Sequence, residues 1–275
     1  MSDSAPRLGY VGLGSMGAPM AMRLTGWPGG LVVFDVRDEA MEPFDTAGAT
    51  AAGALAEVAT ADVISVTVLD DEQVREVVGE LARHAAPDTV IAVHSTISDT
   101  TAVDLADRYA SNAIHVVDAP APPLTGAAAK GELATMVGAV RGIYERIKPV
   151  FTRWASLVIH AGEPGAGTRM KLARNMLTFS SFAAVCESMR LAEAAGHSDA
   201  LTGGPGAIMV RDNTHELEPG HWLYDAFTHT RGLGEKDLRL ALALGDALGV
   251  ELPLAQVALR DLAAGLGVPH HPTKE

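Results

Sequence analysis

Three side chains in one short stretch, GEPGAGTRMKLARNML (162–177), are candidates for a reactive site: Lys171, Arg174 and Asn175. A glycine-rich turn runs into a helical pattern there. Lys171 and Asn175 are four residues apart and so share a helix face, and Arg174 is three from Lys171. A lysine beside a cleft can act as a general acid or base when burial or a neighbouring cation disfavours its charged form. A solvated surface lysine is the ordinary alternative. Far upstream, GLGSMG supplies Gly12, Leu13, Gly14, Ser15, Met16 and Gly17 in the pattern G-x-G-x-x-G. It follows a strand-like run, LGYV, and opens a helix. In that setting the first glycine permits a tight turn, the second lets a pyrophosphate approach the backbone, and the third lets helix and strand pack closely. A pyrophosphate then rests on free N–H groups at a helix N-terminus.

The next strand ends FDVR, and Asp35 stands where an acid can accept hydrogen bonds from the ribose hydroxyls of an adenosine. Its charge repels a 2′-phosphate and so favours NAD. With Val36 between them, Arg37 pulls the other way, because a guanidinium can turn toward the 2′-phosphate of NADP. NAD is the preferred cofactor on this reading, and NADP the alternative.

These groups need a scaffold, and the first half of the chain has one. LGYV (8–11), LVVFDV (31–36), DVISVTVL (62–69), TVIAVHS (89–95), AIHVVDA (113–119), LATMVG (133–138) and SLVIHAG (156–162) are short, β-branched runs. Helical patterns at 71–86, 99–110 and from about 141 alternate with them. Alternation of this kind predicts a buried parallel sheet of the α/β class. After residue 162 the texture changes to helices, over 168–196, near 200–212, and over 233–248 and 254–266. The expected organisation is a Rossmann-type domain (1–162), then an all-α domain (163–275), joined by a long interdomain helix. PPLTGAAAKGE (122–132) reads as a loop.

Bulk properties exclude other classes. The 275 residues carry 34 acids and 21 bases, a net charge of −13. That opposes nucleic acid and anionic membrane surfaces as partners. No apolar run approaches the ~18 residues that span a bilayer, and the first residues are unlike a signal peptide, so a cytoplasmic location is expected. The lone cysteine, Cys186, forms no internal disulfide or cysteine metal cluster and reads as a packing residue. No metal site is expected. His94, at a strand end, reads as a satisfied structural histidine.

The chain resembles the β-hydroxyacid dehydrogenases, whose members include 3-hydroxyisobutyrate dehydrogenase and tartronate semialdehyde reductase. GYVGLGSMGAPMAMRL (9–24), STIS (95–98), DAP (118–120), KGELATMVG (130–138), GAGTRMKLARNML (165–177) and KDLRLALALGDALGVELPL (236–254) carry the likeness. The resemblance implies reversible hydride transfer between NAD(P) and a hydroxyl carbon β to a carboxylate, on a homodimer formed through the helical domain. It implies Lys171 as the catalytic acid/base and Asn175 as its orienting partner. Leu69 and Thr96 would line the cofactor, and Lys236 would close over it. A phenylalanine expected two turns before Lys236 could be Phe227 or, in its place, His229.

Two departures bear on the substrate. Where the family has a serine and glycines that bind the carboxylate, this chain has Pro122, Pro123 and Leu124. Proline brings no N–H, and a carboxylate without donors is costly to bury. Arg174 replaces an asparagine and could hold the acid through two parallel hydrogen bonds, or simply point to solvent or to Glu163, with Pro122–Leu124 as drift. Alternatively the substrate is a carbonyl or imine without that carboxylate, or the chain binds a dinucleotide without turnover.

Overall fold

A computed structural model describes residues 5–122, 125–194, 219 and 224–269, without the side chains of 125 and 185–194. Pro123, Leu124, the helix expected near 200–212 and the Cys186 side chain therefore lie outside the described residues. The chain divides into two compact units, Met1–Lys171 and Leu172–Glu275.

The first unit is built on an eight-stranded sheet. Its strands are β1 (Leu8–Val11), β2 (Leu31–Phe34), β3 (Thr50–Ala51), β4 (Val63–Val66), β5 (Val90–Val93), β6 (His115–Asp118), β7 (Leu133–Gly138) and β8 (Ala155–Gly162). They lie in the order β3-β2-β1-β4-β5-β6-β7-β8. The first six form the doubly wound arrangement of dinucleotide-binding sheets. Among the described residues only the β6–β7 pairing is antiparallel, through Asp118 opposite Gly138. Period-two alternation splits the apolar runs between two cores. Leu8, Tyr10, Leu31, Val33, Val90 and Ala92 enter one; Val11, Val32, Ile64, Val66, Ile91 and Val93 enter the other. With both faces covered, near-continuous apolar strands are what the fold requires.

The helices are α1 (Gly17–Met22), α2 (Glu42–Thr46), α3 (Leu55–Val58), α4 (Asp71–His84), α5 (Asp99–Ala110), α6 (Thr125–Lys130), α7 (Arg141–Phe151), α8 (Ala166–Ala194), α9 (Tyr224–Leu248) and α10 (Pro253–Gly265). Three differences from the sequence expectation have physical causes. Strand β3 is two residues long, too short to show alternation. Helix α6 occupies most of what reads as a loop, because Ala127–Ala129 are strong helix formers despite the flanking glycines. Helix α9 starts nine residues before the expected 233, continuing through Gly232 and Gly234.

In the second unit, Phe179, Phe227, Leu238, Ala255, Ala258, Leu262 and Leu266 form a separate core. A Cβ on Gly234 would stand 2.6 Å from Leu262 and 2.9 Å from Phe179. The glycine that interrupts the helical pattern in sequence is therefore the one that lets α9 pack.

Candidate active site

In the first unit the turns that follow β1, β2, β4, β5 and β6 gather at the carboxyl edge of the sheet, where open α/β sheets hold ligands. The three glycines of 12–17 differ in what demands them. Gly12 has φ +90°, and a Cβ there would lie 2.0 Å from the Thr67 carbonyl oxygen. A Cβ on Gly17 would lie 1.8 Å from the carbonyl oxygen of Gly12. Both are required by the chain itself. Gly14 is exposed, with nothing within 4 Å of its Cβ position. No protein contact there calls for a glycine, whereas a pyrophosphate lying against the backbone would. The loop thus fits a dinucleotide.

Asp35 stands just past β2 and is 8% exposed. Its Oδ2 accepts from the Leu13 N–H at 2.7 Å. Its Oδ1 accepts from the Arg37 N–H at 3.0 Å and from Arg37 Nε at 3.1 Å. Burial raises the pKa of this carboxyl, but the hydrogen bonds from Arg37 and Leu13 outweigh burial and hold it below the usual carboxylate value. Val36 is fully turned out, at 88% exposed, and the Arg37 side chain is half exposed while bonded to Asp35. Ser15 is exposed and Met16 half-buried at the start of α1.

Leu69, 72% exposed, follows β4, and Thr96, half-buried, follows β5. Ser95 stitches their two turns together: its Oγ donates to the Val68 carbonyl at 2.7 Å and accepts from the Val68 N–H at 2.9 Å. His94 is a core residue. Its Nδ1 lies 2.8 Å from the Ala119 carbonyl and its Nε2 3.0 Å from Ser65 Oγ. A carbonyl only accepts, so the proton sits on Nδ1 and Nε2 accepts from the serine. Burial lowers the pKa of His94 to about 4, with the Ala119 hydrogen bond opposing, so the ring is neutral.

Lys171 is fully buried. The helix that carries it, α8, begins against the ends of β6 and β7. Asp118, the last residue of β6, accepts the Gly165 N–H on Oδ1 at 2.7 Å and the Thr168 N–H on Oδ2 at 2.6 Å. Desolvation raises the pKa of this carboxyl, and its hydrogen bonds to Gly165 and Thr168 only partly offset that rise. Pro122, a little farther along the same segment, is buried.

In the second unit, Asn175 is 3% exposed and donates from Nδ2 to Asp237 Oδ2 at 2.6 Å. The amide nitrogen is thereby committed to Asp237, which turns the amide oxygen the other way. Lys236 Nζ lies 3.3 Å from Asp237 Oδ1. Arg174 is exposed. Phe227 belongs to the helical core, and His229 is exposed. Asp118 and Asp237 escape a reading of local sequence, since their partners lie 47, 50 and 62 residues away.

Residues 7–162 match the NAD binding domain of 6-phosphogluconate dehydrogenase. Residues 165–267 match the NAD-binding domain of NADP-dependent 3-hydroxyisobutyrate dehydrogenase. The chain belongs to the 3-hydroxyisobutyrate dehydrogenase family. It is an NAD(P)-dependent oxidoreductase that acts on CH–OH groups. It is 62% identical to an uncharacterised oxidoreductase of Mycobacterium tuberculosis, over 98% of this chain and 96% of that one. It is 29% identical to the 2-(hydroxymethyl)glutarate dehydrogenase of Eubacterium barkeri, over 96% and 90%. The structure of M. tuberculosis 3-hydroxyisobutyrate dehydrogenase with L-serine superposes with a TM-score of 0.79, at 29% identity over 94% and 92%. Among the described residues, no helix is long and apolar enough to cross a membrane, and no group of three or more His, Cys, Asp or Glu residues could hold a metal ion.

Proposed function

We propose that this chain interconverts a β-hydroxy acid and its semialdehyde, with Lys171 moving the proton. The complete burial of Lys171 near the start of α8 carries this reading, since a buried amine is not an ordinary surface lysine. A nicotinamide cofactor, when bound, would supply hydride in reduction and take it up in oxidation. Lys171 Nζ gives a proton to the carbonyl oxygen in reduction and removes it from the hydroxyl in oxidation. Asn175, fixed through Asp237, orients the substrate beside it. Gly12–Gly17, Asp35, Leu69 and Thr96 hold the cofactor, and the family resemblance gives Lys236 to it as well.

The named relatives support a carboxylate substrate. 3-Hydroxyisobutyrate, 2-(hydroxymethyl)glutarate and L-serine all carry a hydroxymethyl group on the carbon bearing a carboxylate. Pro122 cannot donate to that carboxylate. Arg174, the exposed cation one turn beyond Lys171 on α8, takes over the task. For the cofactor, the Asp35–Arg37 pair favours NAD while keeping a cation at hand for a 2′-phosphate.

A reduction screen followed at the nicotinamide absorbance band tests this. NADH and NADPH are each paired with semialdehyde acids, apolar aldehydes and ketones, and cyclic imines. Semialdehyde acids should turn over, and Lys171→Ala should slow the reaction about 10²- to 10⁴-fold. Turnover of uncharged carbonyls or imines alone would sink the carboxylate reading. Tight cofactor binding with no turnover anywhere would sink the dehydrogenase reading.

A further inference from the structure

We infer that Asp118 is a positioning residue that sets where Lys171 stands, by clamping the first turn of α8 to the carboxyl end of β6. This rests on the reading of Lys171 as the proton carrier and deepens it.

Asp118 is 2% exposed, and each of its oxygens takes a different backbone N–H of the α8 start. Among the described residues, no cation lies within ion-pair distance of it. A carboxylate turned inward and committed to Gly165 and Thr168 cannot also meet a substrate, so Asp118 is not itself the acid or base. An ordinary cap comes from the residue just before a helix and stops fraying. This one comes from 47 and 50 residues away. It therefore fixes the helix relative to a strand end, which a local cap does not do.

The surroundings are shaped to that contact. A Cβ on Gly138 would stand 2.1 Å from Asp118 Oδ1. A Cβ on Gly167 would stand 2.3 Å from the Met136 carbonyl oxygen and 2.9 Å from that of Asp118. Two glycines thus clear the space in which the strand ends, the carboxylate and the helix meet. The segment after Asp118 is also braced, since the Ala119 carbonyl accepts from His94 Nδ1 and from Thr135 Oγ1 at 2.9 Å. Another tie at the start of α8 is Arg169 with Asp99 at 3.2 Å, but both side chains are partly exposed and such pairs contribute little. Thr168 is three residues from Lys171, less than one helical turn, so a shift of that first turn moves the amine with it.

Aspartate is required because two acceptors are needed at once. Asparagine has nearly the same shape but offers one acceptor, and its NH2 would face a buried N–H. Asp118→Asn therefore loosens the clamp with little change of volume.

The test compares wild type, Asp118→Asn, Lys171→Ala and the double variant, using the substrate found in the screen. We expect Asp118→Asn to lower kcat about 10- to 100-fold, the size of effect that misplacement by about 1 Å produces. Dissociation constants for NADH and NADPH, from fluorescence titration, should change by less than about twofold. Amide exchange at Gly165 and Thr168 should quicken while that of Leu8–Val11 does not. Added to Lys171→Ala, the substitution should cost almost nothing more, as for residues that act as a unit. The proposal is overturned if kcat stays within about twofold of wild type, if cofactor affinity falls in step with kcat, or if the two substitutions multiply in the double variant. Wild-type turnover by Lys171→Ala would instead overturn the reading of Lys171, and this one with it.

Discussion

Asp35 and Asp118 make an instructive pair. Both stand at a strand end on the carboxyl edge of one sheet, Asp118 as the last residue of β6 and Asp35 just past β2, and both accept N–H donors from a glycine-bearing segment. They differ in what else they touch. Asp35 has an arginine beside it and a carboxyl held below its usual value. Asp118 lies deeper and takes its donors from the start of α8, with no cation beside it among the described residues, and burial pushes its carboxyl above its usual value. On the proposed reading, a strand-end acid in this fold serves ligand binding in one case and internal clamping in the other. Depth and the presence of a cation distinguish the two uses; the position in the strand does not.

Four experiments would break or sharpen that contrast. The largest effect is expected at the clamped end, where Lys171→Ala should lower kcat by about 10²- to 10⁴-fold, the range for a general acid or base. Cofactor affinity measured by fluorescence should stay near wild type. A retained kcat would remove the reason for the clamp.

Next come the glycines at the binding end. Gly17→Ala places a Cβ against backbone and should cost about 3 kcal/mol in denaturant unfolding. Gly14→Ala should leave stability within about 0.5 kcal/mol and weaken NADH binding about tenfold. Equal stability losses in the two variants would show that the loop is built for packing alone.

Arg37→Ala should weaken NADPH about tenfold and NADH by less than about twofold, in line with loss of one charge-assisted hydrogen bond. Equal losses for both cofactors would mean that Arg37 serves only Asp35.

The smallest effect concerns pH. The folded-state pKa of Asp35 is lowered, so its stabilisation is present above the ordinary carboxylate range and is lost as pH falls through the folded value. Asp118 has the opposite sign. Its raised folded-state pKa makes folding more favourable as pH falls through that value toward the unfolded one. Unfolding free energies measured across the acid range should therefore change slope in opposite senses in Asp35→Asn and Asp118→Asn. Parallel changes would contradict the assignment of one acid as paired and the other as desolvated.

Much of the sheet unit is legible in the sequence because its signals are local. Alternating β-branched residues mark seven of its strands, and GLGSMG marks the turn after β1. The two residues of β3 carry no such signal. Helix α9 hides its first turns behind Gly232 and Gly234, which read as breakers until Phe179 and Leu262 are seen against Gly234. At the site, spacing alone pairs Lys171 with Asn175. It cannot supply Asp118 or Asp237, whose partners are brought to them only by folding. Nor does it separate Gly14 from Gly12 and Gly17, since the difference is a matter of what surrounds each Cβ.

The placement of His94 has a spectroscopic consequence. Its Nδ1 proton points at the carbonyl of Ala119, directly after the clamping aspartate, in a pocket closed by Tyr10, Phe151 and Trp154. A ring proton so sealed exchanges slowly with water and should give its own resonance. That resonance is a natural reporter: any movement of the segment that begins at Asp118, caused by ligand or by mutation, would register there without a label being introduced.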